Sequence, residues 1–348
     1  MTAQTNTPGT THIFLPPLAT PTGGLAVLHQ VAAHLFDAGR PVALVPRESR
    51  FWRPDCSRAV PVVPWAELAL GPGDIWLVPE GWVNALAPGL HSGARTVLYV
   101  QNWAYLFSAL PPDVRWDQLP VEFLAVSDPV ARFLEYALGE RVPVVRPAVD
   151  PALFHPPAAP RPASPVTVAC MPRKNKALAA QVRAVVEARA ARDPGAPPLR
   201  WLEIAGQPPQ GVAELLRRAH IFLATGFPEG CPLPPLEAMA SGCLVVGYTG
   251  LGGQDSMRQA AELPGALRPW LPQRPVPWGG NGLFCADADV LGAALALESA
   301  ARWVAGADPA LARAVDAALA TAAAYSPEAQ RREVLAAWDA LAARPPRA

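Results

Sequence analysis

Short apolar runs alternate with segments of helical periodicity along most of the chain. The apolar runs have the length and composition of buried parallel strands, and they lie at residues 12–16, 41–45, 75–79, 96–101, 121–126, 166–171, 199–205, 221–224 and 244–246. Between and after them, apolar residues recur at helical spacing in segments 25–38, 129–138, 176–192, 211–218, 290–305, 309–324 and 327–341. This alternation predicts an α/β protein with parallel sheets.

One strand–loop–helix unit, residues 220–247, concentrates polar chemistry beside a buried strand. The loop after strand 221–224 carries Glu229, and Pro234 and Pro235 stand where a helix begins. Proline suits a first helical position because the missing N–H has no partner there in any case. The pattern predicts that Glu237 lies in the first turn of this helix and that Gly242 ends it.

Loops at the carboxyl ends of parallel strands form the ligand crevice of open α/β sheets. A helix N-terminus at that edge favours an anion such as a diphosphate, and a carboxylate beside it can accept two ribose hydroxyls. The alternative is an ordinary buried unit in which Glu229 is solvated and Glu237 is favoured only by the helix dipole. Spacing alone leaves both interpretations open.

The segment PEGCPLPPLEAMASGCLVVG, with Glu229 and Glu237 in step, resembles the donor-site signature of glycosyltransferase family 4. FLAVSDPVARFL with VPVVRPAVDPALF, and later GGNGLF, resemble the same family, although Pro147-Ala148 stands where the family has Asn-Gly. The resemblance implies a GT-B protein, with two Rossmann-like domains facing each other across a cleft. It also implies that the last helix crosses back to the N-terminal domain.

A proline-rich segment, PPAAPRPASP, has the composition of a stiff linker. We therefore expect an N-terminal acceptor-binding domain at 1–155, a linker at 156–165, a C-terminal nucleotide-sugar domain at 166–326, and a returning helix at 327–348. We also expect helix at 254–261, followed by a Pro- and Trp-rich insert at 262–280. In that insert Trp270 and Trp278 either stack on a base or sugar or cover the core, and we favour the second role.

Three cations follow strand 166–171 in the turn PRKNK: Arg173, Lys174 and Lys176. Arginine binds phosphate oxygens bidentately and lysine adds point charge, so the turn suits a diphosphate. A solvated basic turn is the alternative. Because the turn and the Glu229 loop fall at the same predicted sheet edge, we favour phosphate binding.

The resemblance also implies roles for individual residues. Glu229 contacts the donor sugar and, with Arg173 and Lys176, forms the catalytic group. The predicted donor-binding set is Glu237 on the ribose together with Lys174, Gly230, Cys231, Leu233, Gly23 and Gly24. We expect no metal and no cofactor apart from the nucleotide-sugar co-substrate.

The first βα unit places Gly23 and Gly24 before its helix, and by resemblance this glycine loop faces the donor phosphates and the acceptor. The pair does not form GxGxxG, and Pro46 and Arg47 stand where a ribose-binding acid would close the second strand. These departures argue against a nicotinamide oxidoreductase.

Polar residues also end two strands of the amino-terminal half. Glu80, Gln101 and Asn102 are candidates for holding acceptor hydroxyls, with helix capping as the alternative for each. A separate loop combines aromatic residues with four arginines: Arg47, Arg50, Arg53 and Arg58. It is either solvated or a surface for an anionic acceptor or a lipid headgroup.

Composition bears on three further properties: nucleic-acid binding, structural zinc and cellular location. The formal net charge is zero, which gives no support for a nucleic-acid partner. Five cysteines without a framework suggest a reducing compartment and no structural zinc. The N-terminus has no signal-peptide pattern, so we expect a cytoplasmic protein, in peripheral contact with the inner face of the membrane if the arginine loop binds lipid.

The sequence therefore predicts a metal-independent, retaining glycosyltransferase of cell-surface or exopolysaccharide synthesis, acting on a glycan, lipid-linked or small-molecule acceptor. A catalytically silent GT-B scaffold or nucleotide-sugar-binding subunit is the competing hypothesis.

Overall fold

The computed structural model describes residues 9–18, 22–54 and 59–347. The chain divides into two compact units. Unit 1 comprises Met1–Ala148 with Glu328–Ala348, and unit 2 comprises Val149–Pro327.

Unit 1 is built on five parallel strands in the order β2-β1-β3-β4-β5. The strands are β1 (Thr11–Leu15), β2 (Val42–Pro46), β3 (Ile75–Pro79), β4 (Arg95–Val100) and β5 (Val121–Ala125). The helices of this unit are α1 (Gly23–Asp37), α2 (Ala87–Ser92), α3 (Tyr105–Ser108), α4 (Asp128–Leu138) and, from the end of the chain, α10 (Pro327–Ala342). Strands β1, β2 and β4 are buried throughout, as near-continuous apolar runs require.

The last helix completes unit 1, as the resemblance predicted. On α10 the indole of Trp338 is buried and donates to the Thr11 hydroxyl (2.9 Å). Glu333 on the same helix pairs with the Arg146 guanidinium at 2.6 Å. Arg95 donates to the carbonyls of Leu341 and Arg344, which binds the end of the helix to β4.

Unit 2 repeats the architecture, with five parallel strands in the order β10-β9-β8-β6-β7. The strands are β6 (Val166–Cys170), β7 (Leu199–Glu203), β8 (Ile221–Ala224), β9 (Leu244–Gly247) and β10 (Gly282–Phe284). The helices are α5 (Lys176–Ala190), α6 (Pro209–Arg218), α7 (Leu233–Ala240), α8 (Val290–Ala305) and α9 (Pro309–Ala324).

Two apolar cores cover the two faces of the unit 2 sheet. Val168 of β6 belongs to the core that contains α8, whereas its neighbour Ala169 belongs to the core that contains α7. This division follows from the strand geometry, because successive side chains point to opposite faces. Since every pairing in the sheet is parallel, the carboxyl ends of its strands meet at one edge.

The proline-rich segment 156–165 belongs to unit 2 in this structure, and the change of unit falls earlier, at Ala148–Val149. The segment is folded against the unit because Arg161 donates to the carbonyls of Arg217 (2.9 Å), Gly242 (2.8 Å) and Ser241 (2.5 Å). Proline and alanine composition indicated a linker, but one arginine supplies the attachment.

The helix expected at 254–261 is wrong: the structure has only a short turn, Gly252–Asp255. Backbone groups that a helix would pair internally are bonded to the following segment instead. The Asn281 carboxamide accepts from the Arg258 N–H (2.8 Å) and donates to the Ser256 carbonyl (2.8 Å). The Ala260 N–H donates to the Gly282 carbonyl (2.9 Å), which extends the sheet rather than a helix.

Among the described residues, no single helix has the length and apolar character needed to cross a membrane. One pair, α8 and α9, meets that test of length and composition only when its two helices are taken together, and they are bent by 106°.

Candidate functional site

Hydrogen bonds join the turn after β6 to the loop after β8. Asn175 adopts a left-handed conformation (φ 56°, ψ 48°) just before α5, which asparagine tolerates better than most residues. Its side-chain amide donates to the carbonyls of Thr225 (2.9 Å) and Phe227 (3.1 Å). The Thr225 hydroxyl in turn donates to the Lys174 carbonyl (3.3 Å). Sequence reasoning gave Asn175 no role, although an asparagine between cations at a helix start was the available signal.

These hydrogen bonds bring two predicted site residues, Lys174 and Glu229, together. The Lys174 ammonium forms an ion pair with Glu229 Oε1. The lysine side chain is 47% exposed and the glutamate side chain only 11% exposed, so the pair lies at the surface of unit 2 rather than in its core. A Cβ at Gly226 would stand 2.7 Å from Glu229 Oε1. Glycine at 226 therefore makes room for the carboxylate.

The backbone of Glu229 is held by the loop after β9. Its N–H donates to the Gly250 carbonyl (2.9 Å), and its carbonyl accepts from the Gly252 N–H (3.0 Å). Both glycines are required by this close approach: a Cβ at Gly250 would lie 2.7 Å from Glu229 Cβ, and one at Gly252 would lie 1.9 Å from the Gly230 carbonyl oxygen.

Glu237 lies in the second turn of α7, not in the first turn as the sequence predicted. The helix begins at Leu233 because Pro234 and Pro235 occupy its second and third positions, where absent N–H groups are still tolerated. Burial raises the pKa of Glu237 to about 7. Among the described residues, none forms a hydrogen bond or ion pair with its carboxylate.

The other predicted donor residues line the same sheet edge. Arg173, Lys174 and Lys176 are all exposed, and Lys176 is the first residue of α5. Cys231 and Leu233 are half-buried and pack on the core beside α7. The two prolines leave Leu233 and Leu236 as the N–H donors among the first four residues of α7. The cationic turn is therefore the stronger source of positive charge at this edge.

In unit 1, three predicted residues meet at the carboxyl ends of β1, β3 and β4. A Cβ at Gly24, near the start of α1, would lie 2.7 Å from Gln101 Oε1. Glu80 accepts the Gln101 N–H (2.7 Å), and burial raises the pKa of Glu80 to about 7. The Gln101 Nε2 atom is buried without a hydrogen-bond partner among the described atoms.

Two further predicted residues have local roles in unit 1. Gly23 is the first residue of α1, which Thr22 caps by accepting the Leu25 N–H (3.3 Å). The Asn102 side chain accepts the Ala104 N–H (3.1 Å), a turn-forming contact just before α3, whose N-cap residue is Ala104.

The arginine loop follows β2 and stacks on aromatic rings. The Arg47 guanidinium lies 4.5 Å from the Trp65 ring, and that of Arg53 lies 4.8 Å from the Phe51 ring. Arg47, Arg50 and Arg53 are exposed, and none forms an ion pair with a described acid. Arg58 lies outside the described residues.

The insert 262–280 packs on unit 2. Arg274 pairs with the buried Asp255 carboxylate (2.8 Å), which also accepts from the Tyr325 hydroxyl (2.6 Å). Trp278 is buried and donates to the Ser256 carbonyl (3.0 Å), so it covers the core as predicted. Trp270 is 83% exposed, and the same expectation is wrong for that residue.

No group of three or more His, Cys, Asp or Glu side chains is arranged to hold a metal ion within residues 9–18, 22–54 and 59–347. No protein-family model matches the chain. No curated protein sequence matches it either.

Solved glycosyltransferase structures share the fold over nearly the whole chain. Sucrose-phosphate synthase from Thermosynechococcus elongatus matches with a TM-score of 0.64 at 15% identity, covering 96% of this chain and 99% of the other. A glycosyltransferase from Rickettsia africae matches at 0.66 and 12% identity, covering 96% and 98%. The catalytic domain of starch synthase IV from Arabidopsis thaliana, bound to ADP and acarbose, matches at 0.55 and 14% identity, covering 94% and 99%.

These likenesses agree with the two five-stranded parallel sheets and with the helix that returns to unit 1. The chain has the GT-B fold of these glycosyltransferases, as its resemblance to family 4 predicted.

Proposed function

We propose that the protein is a retaining glycosyltransferase that moves a sugar from a nucleotide-diphosphate sugar to an acceptor. One observation carries the proposal. The carboxylate of Glu237 has no partner among the described residues, and burial raises its pKa to about 7. Glu237 follows the ion-paired Glu229 after one short loop and one helical turn. The Glu237 side chain is half-buried, and a carboxylate that is partly removed from water without a partner gains from a ligand that donates hydrogen bonds to it.

The ribose of the nucleotide is such a ligand. Two neighbouring hydroxyls can donate to the two oxygens of the Glu237 carboxylate. Their donation favours the ionised form of the side chain, because hydrogen bonds to a carboxylate lower its pKa. Binding is therefore expected to release a proton at neutral pH.

The diphosphate is assigned to Arg173 and Lys176, with Lys174 assisting. These exposed cations stand at the start of α5, whose partial positive charge acts in the same direction. Their charge stabilises the departing diphosphate when the bond to the sugar breaks, and removal of one such donor commonly costs a few kcal/mol of transition-state stabilisation. The proposed mechanism draws its positive charge from these side chains and requires no metal.

Glu229 is assigned to the donor sugar. Its carboxylate stabilises positive charge that develops at the reacting carbon, while the ion pair with Lys174 orients it. In the proposed reaction the bond from this carbon to the diphosphate oxygen breaks, and its electron pair stays with the diphosphate. The acceptor hydroxyl bonds to the carbon on the same face, and its proton passes to the diphosphate. No separate nucleophile takes part.

On the acceptor side we assign Glu80 and Gln101 to hydroxyls of a glycan, a lipid-linked sugar or a small molecule. The carboxylate of Glu80 already accepts one backbone N–H, and the unpartnered Gln101 Nε2 supplies a donor. We place the reaction in the cytoplasm and in cell-surface or exopolysaccharide synthesis. These assignments rest on the resemblance to family 4 together with this polar cluster.

The arginine loop is proposed to touch anionic lipid at the inner face of the membrane. Exposed arginines stacked on aromatic rings suit that interface. Sedimentation with vesicles tests this proposal: vesicles of phosphatidylglycerol should retain the protein more strongly than vesicles of phosphatidylcholine. Changing Arg47, Arg50 and Arg53 together to Gln should remove the difference. Equal sedimentation with both lipids would contradict the membrane contact without affecting the donor site.

The proposed activity is tested by a thermal-shift screen against UDP-, GDP- and dTDP-sugars, for the protein and for Glu237→Ala. A ligand that binds only the folded state at a hundredfold excess over its dissociation constant stabilises that state by about 2.7 kcal/mol, which is readily seen as a rise in melting temperature. One nucleotide series should shift the protein and leave the variant unshifted.

A matched control is Glu214→Ala, which removes an exposed carboxylate from α6 in the same unit. This variant should keep the shift of the unchanged protein. If no nucleotide sugar stabilises the protein, the transferase proposal loses its support. If nucleotide sugars bind but no sugar is ever released or transferred, the silent scaffold becomes the better account.

A further inference from the structure

The loop after β9, residues 248–253, holds Glu229 in place through its backbone. Glu229 and Leu251 pair as one isolated parallel bridge, with hydrogen bonds from Glu229 to Gly250 and from Gly252 to Glu229. Any group that fixes this loop therefore also fixes the carboxylate that we assign to the donor sugar.

The loop is strained at its centre. Leu251 has φ 69° and ψ −61°, the geometry of the rare γ-turn. Glycine adopts a positive φ without steric strain, whereas leucine carries a side chain there. Such a conformation costs on the order of 1–3 kcal/mol and persists only where surrounding contacts hold it. One of those contacts lies inside the loop, from the Gly253 N–H to the Thr249 carbonyl (2.8 Å).

Another contact comes from a different element. Asp287, in the connection between β10 and α8, accepts the Gly250 N–H on Oδ1 at 3.0 Å, and its carboxylate also faces the N–H of Thr249. Gly250 thus lies between two groups: its N–H donates to Asp287, and its carbonyl accepts from the Glu229 N–H.

Asp287 is not needed to start the helix that follows it. That task belongs to Asp289, whose carboxylate accepts the Gly292 N–H (2.8 Å) as the cap of α8. Asp287 is exposed, so no core packing accounts for its side chain either. Its carboxylate hydrogen bonds go to the loop that holds Glu229.

We propose that Asp287 is a positioning residue for Glu229, acting through the backbone of Gly250 to hold that carboxylate against the donor sugar. The inference rests on the proposed function, which assigns Glu229 to the sugar. It adds a specificity element from the connection between β10 and α8, because recognition of the sugar, as distinct from the nucleotide, then depends on a residue far from Glu229 in sequence.

The test is a calorimetric double-mutant cycle. For the nucleotide sugar that the thermal-shift screen selects (UDP-glucose, GDP-mannose or dTDP-glucose), its affinity is divided by that of the matching nucleoside diphosphate. The ratio isolates the contribution of the sugar. It is measured for the unchanged protein, Asp287→Ala, Glu229→Gln and the double variant, with melting temperatures as the check on folding.

We expect Asp287→Ala to lower the ratio of sugar-nucleotide affinity to diphosphate affinity about tenfold, which is the effect of losing one hydrogen bond to a charged group. The affinity for the nucleoside diphosphate itself should be nearly unchanged. The double variant should change it no further than Glu229→Gln alone, because both substitutions act on one contact. Asp287→Asn retains a carbonyl acceptor for Gly250 and should restore the ratio. Asp289→Ala, which removes the neighbouring helix cap, should lower the melting temperature and leave the ratio unchanged.

Two results would overturn the inference while leaving the donor site intact: an unchanged ratio in a folded Asp287→Ala protein, or effects of the two substitutions that simply add. Failure of every nucleotide sugar and diphosphate to bind would instead refute the proposed function itself, and the inference with it. The two kinds of failure are therefore distinguishable.

Discussion

Glu237 shows what the sequence predicts about a single residue and what it does not. Its spacing from Glu229 predicted a ribose-binding carboxylate, but the helix start at Leu233 places it one turn deeper than expected. That depth explains its raised pKa of about 7, which arises from burial alone. Spacing along the chain cannot indicate how much protein surrounds a side chain, and burial is what gives this carboxylate its need for a ligand.

The raised pKa predicts a pH-dependent stability for Glu237→Gln. Because the folded protein holds this proton up to about pH 7 and an unfolded chain only to about pH 4.5, ionisation penalises folding increasingly across that window and fully above it. The variant should therefore gain stability over the unchanged protein as pH rises from 4.5 to 7, by an amount on the order of 3 kcal/mol that then stays constant.

Melting temperatures measured from pH 4.5 to 8.5 check this prediction, with the exposed Glu214→Gln as a control expected to show no trend. A gain in melting temperature of roughly 10 °C above pH 7 is the expected scale for a unit of this size. A Glu237→Gln protein that is equally stabilised or destabilised at every pH would show that folding does not raise the pKa of this carboxylate.

The affinity for a nucleotide sugar should also depend on whether the Glu237 carboxyl group is protonated. If the ribose binds the ionised carboxylate of Glu237, affinity rises as pH increases through about 7 and levels off above it. Glu237→Gln should bind more weakly and lose this dependence. Calorimetry between pH 6 and 8.5 measures both effects, and a pH dependence that survives in the variant would assign the proton to another group.

At the scale of elements, α10 carries the clearest stability prediction. Trp338 is buried in unit 1 and donates to Thr11, so Trp338→Ala should leave a large cavity and cost about 3–5 kcal/mol. The neighbouring Asp339 also reaches unit 1, through an ion pair with Arg40, but its side chain is 69% exposed. Asp339→Ala should therefore cost less than about 1 kcal/mol.

Calorimetric unfolding of the two variants separates these cases. We expect a lower melting transition for Trp338→Ala and almost none of that change for Asp339→Ala. Similar small losses in both would mean that α10 contributes little to the core of unit 1.

Elements dominated by apolar periodicity were the easiest to predict, and those decided by single side chains were not. The bounds of β3, β8, α8 and α9 agree with the sequence patterns because long apolar faces leave few alternatives. By contrast, hydrogen bonds from Arg161 attach a linker-like segment to unit 2. Asn281 forms hydrogen bonds with backbone groups of the segment that was predicted to be a helix. Those bonds join residues distant in sequence, and local propensity carries no information about them.

At the scale of the whole molecule, the GT-B fold was predictable because one segment carried a specific resemblance and the rest of the chain repeated the βα pattern. The candidate site was predictable as a set of residue types but not as an arrangement. Neither the Lys174–Glu229 pair nor the hold of Asp287 on Gly250 follows from the sequence, since both depend on which loops meet at the sheet edge.

The central claim is that the carboxyl edge of the unit 2 sheet binds a nucleotide sugar. A crystal structure with the nucleotide sugar selected by the thermal-shift screen tests it most directly. We expect the ribose on the Glu237 carboxylate, the diphosphate beside Arg173 and Lys176, and the sugar beside Glu229. A nucleotide bound elsewhere, with Glu237 still unpartnered, would contradict it.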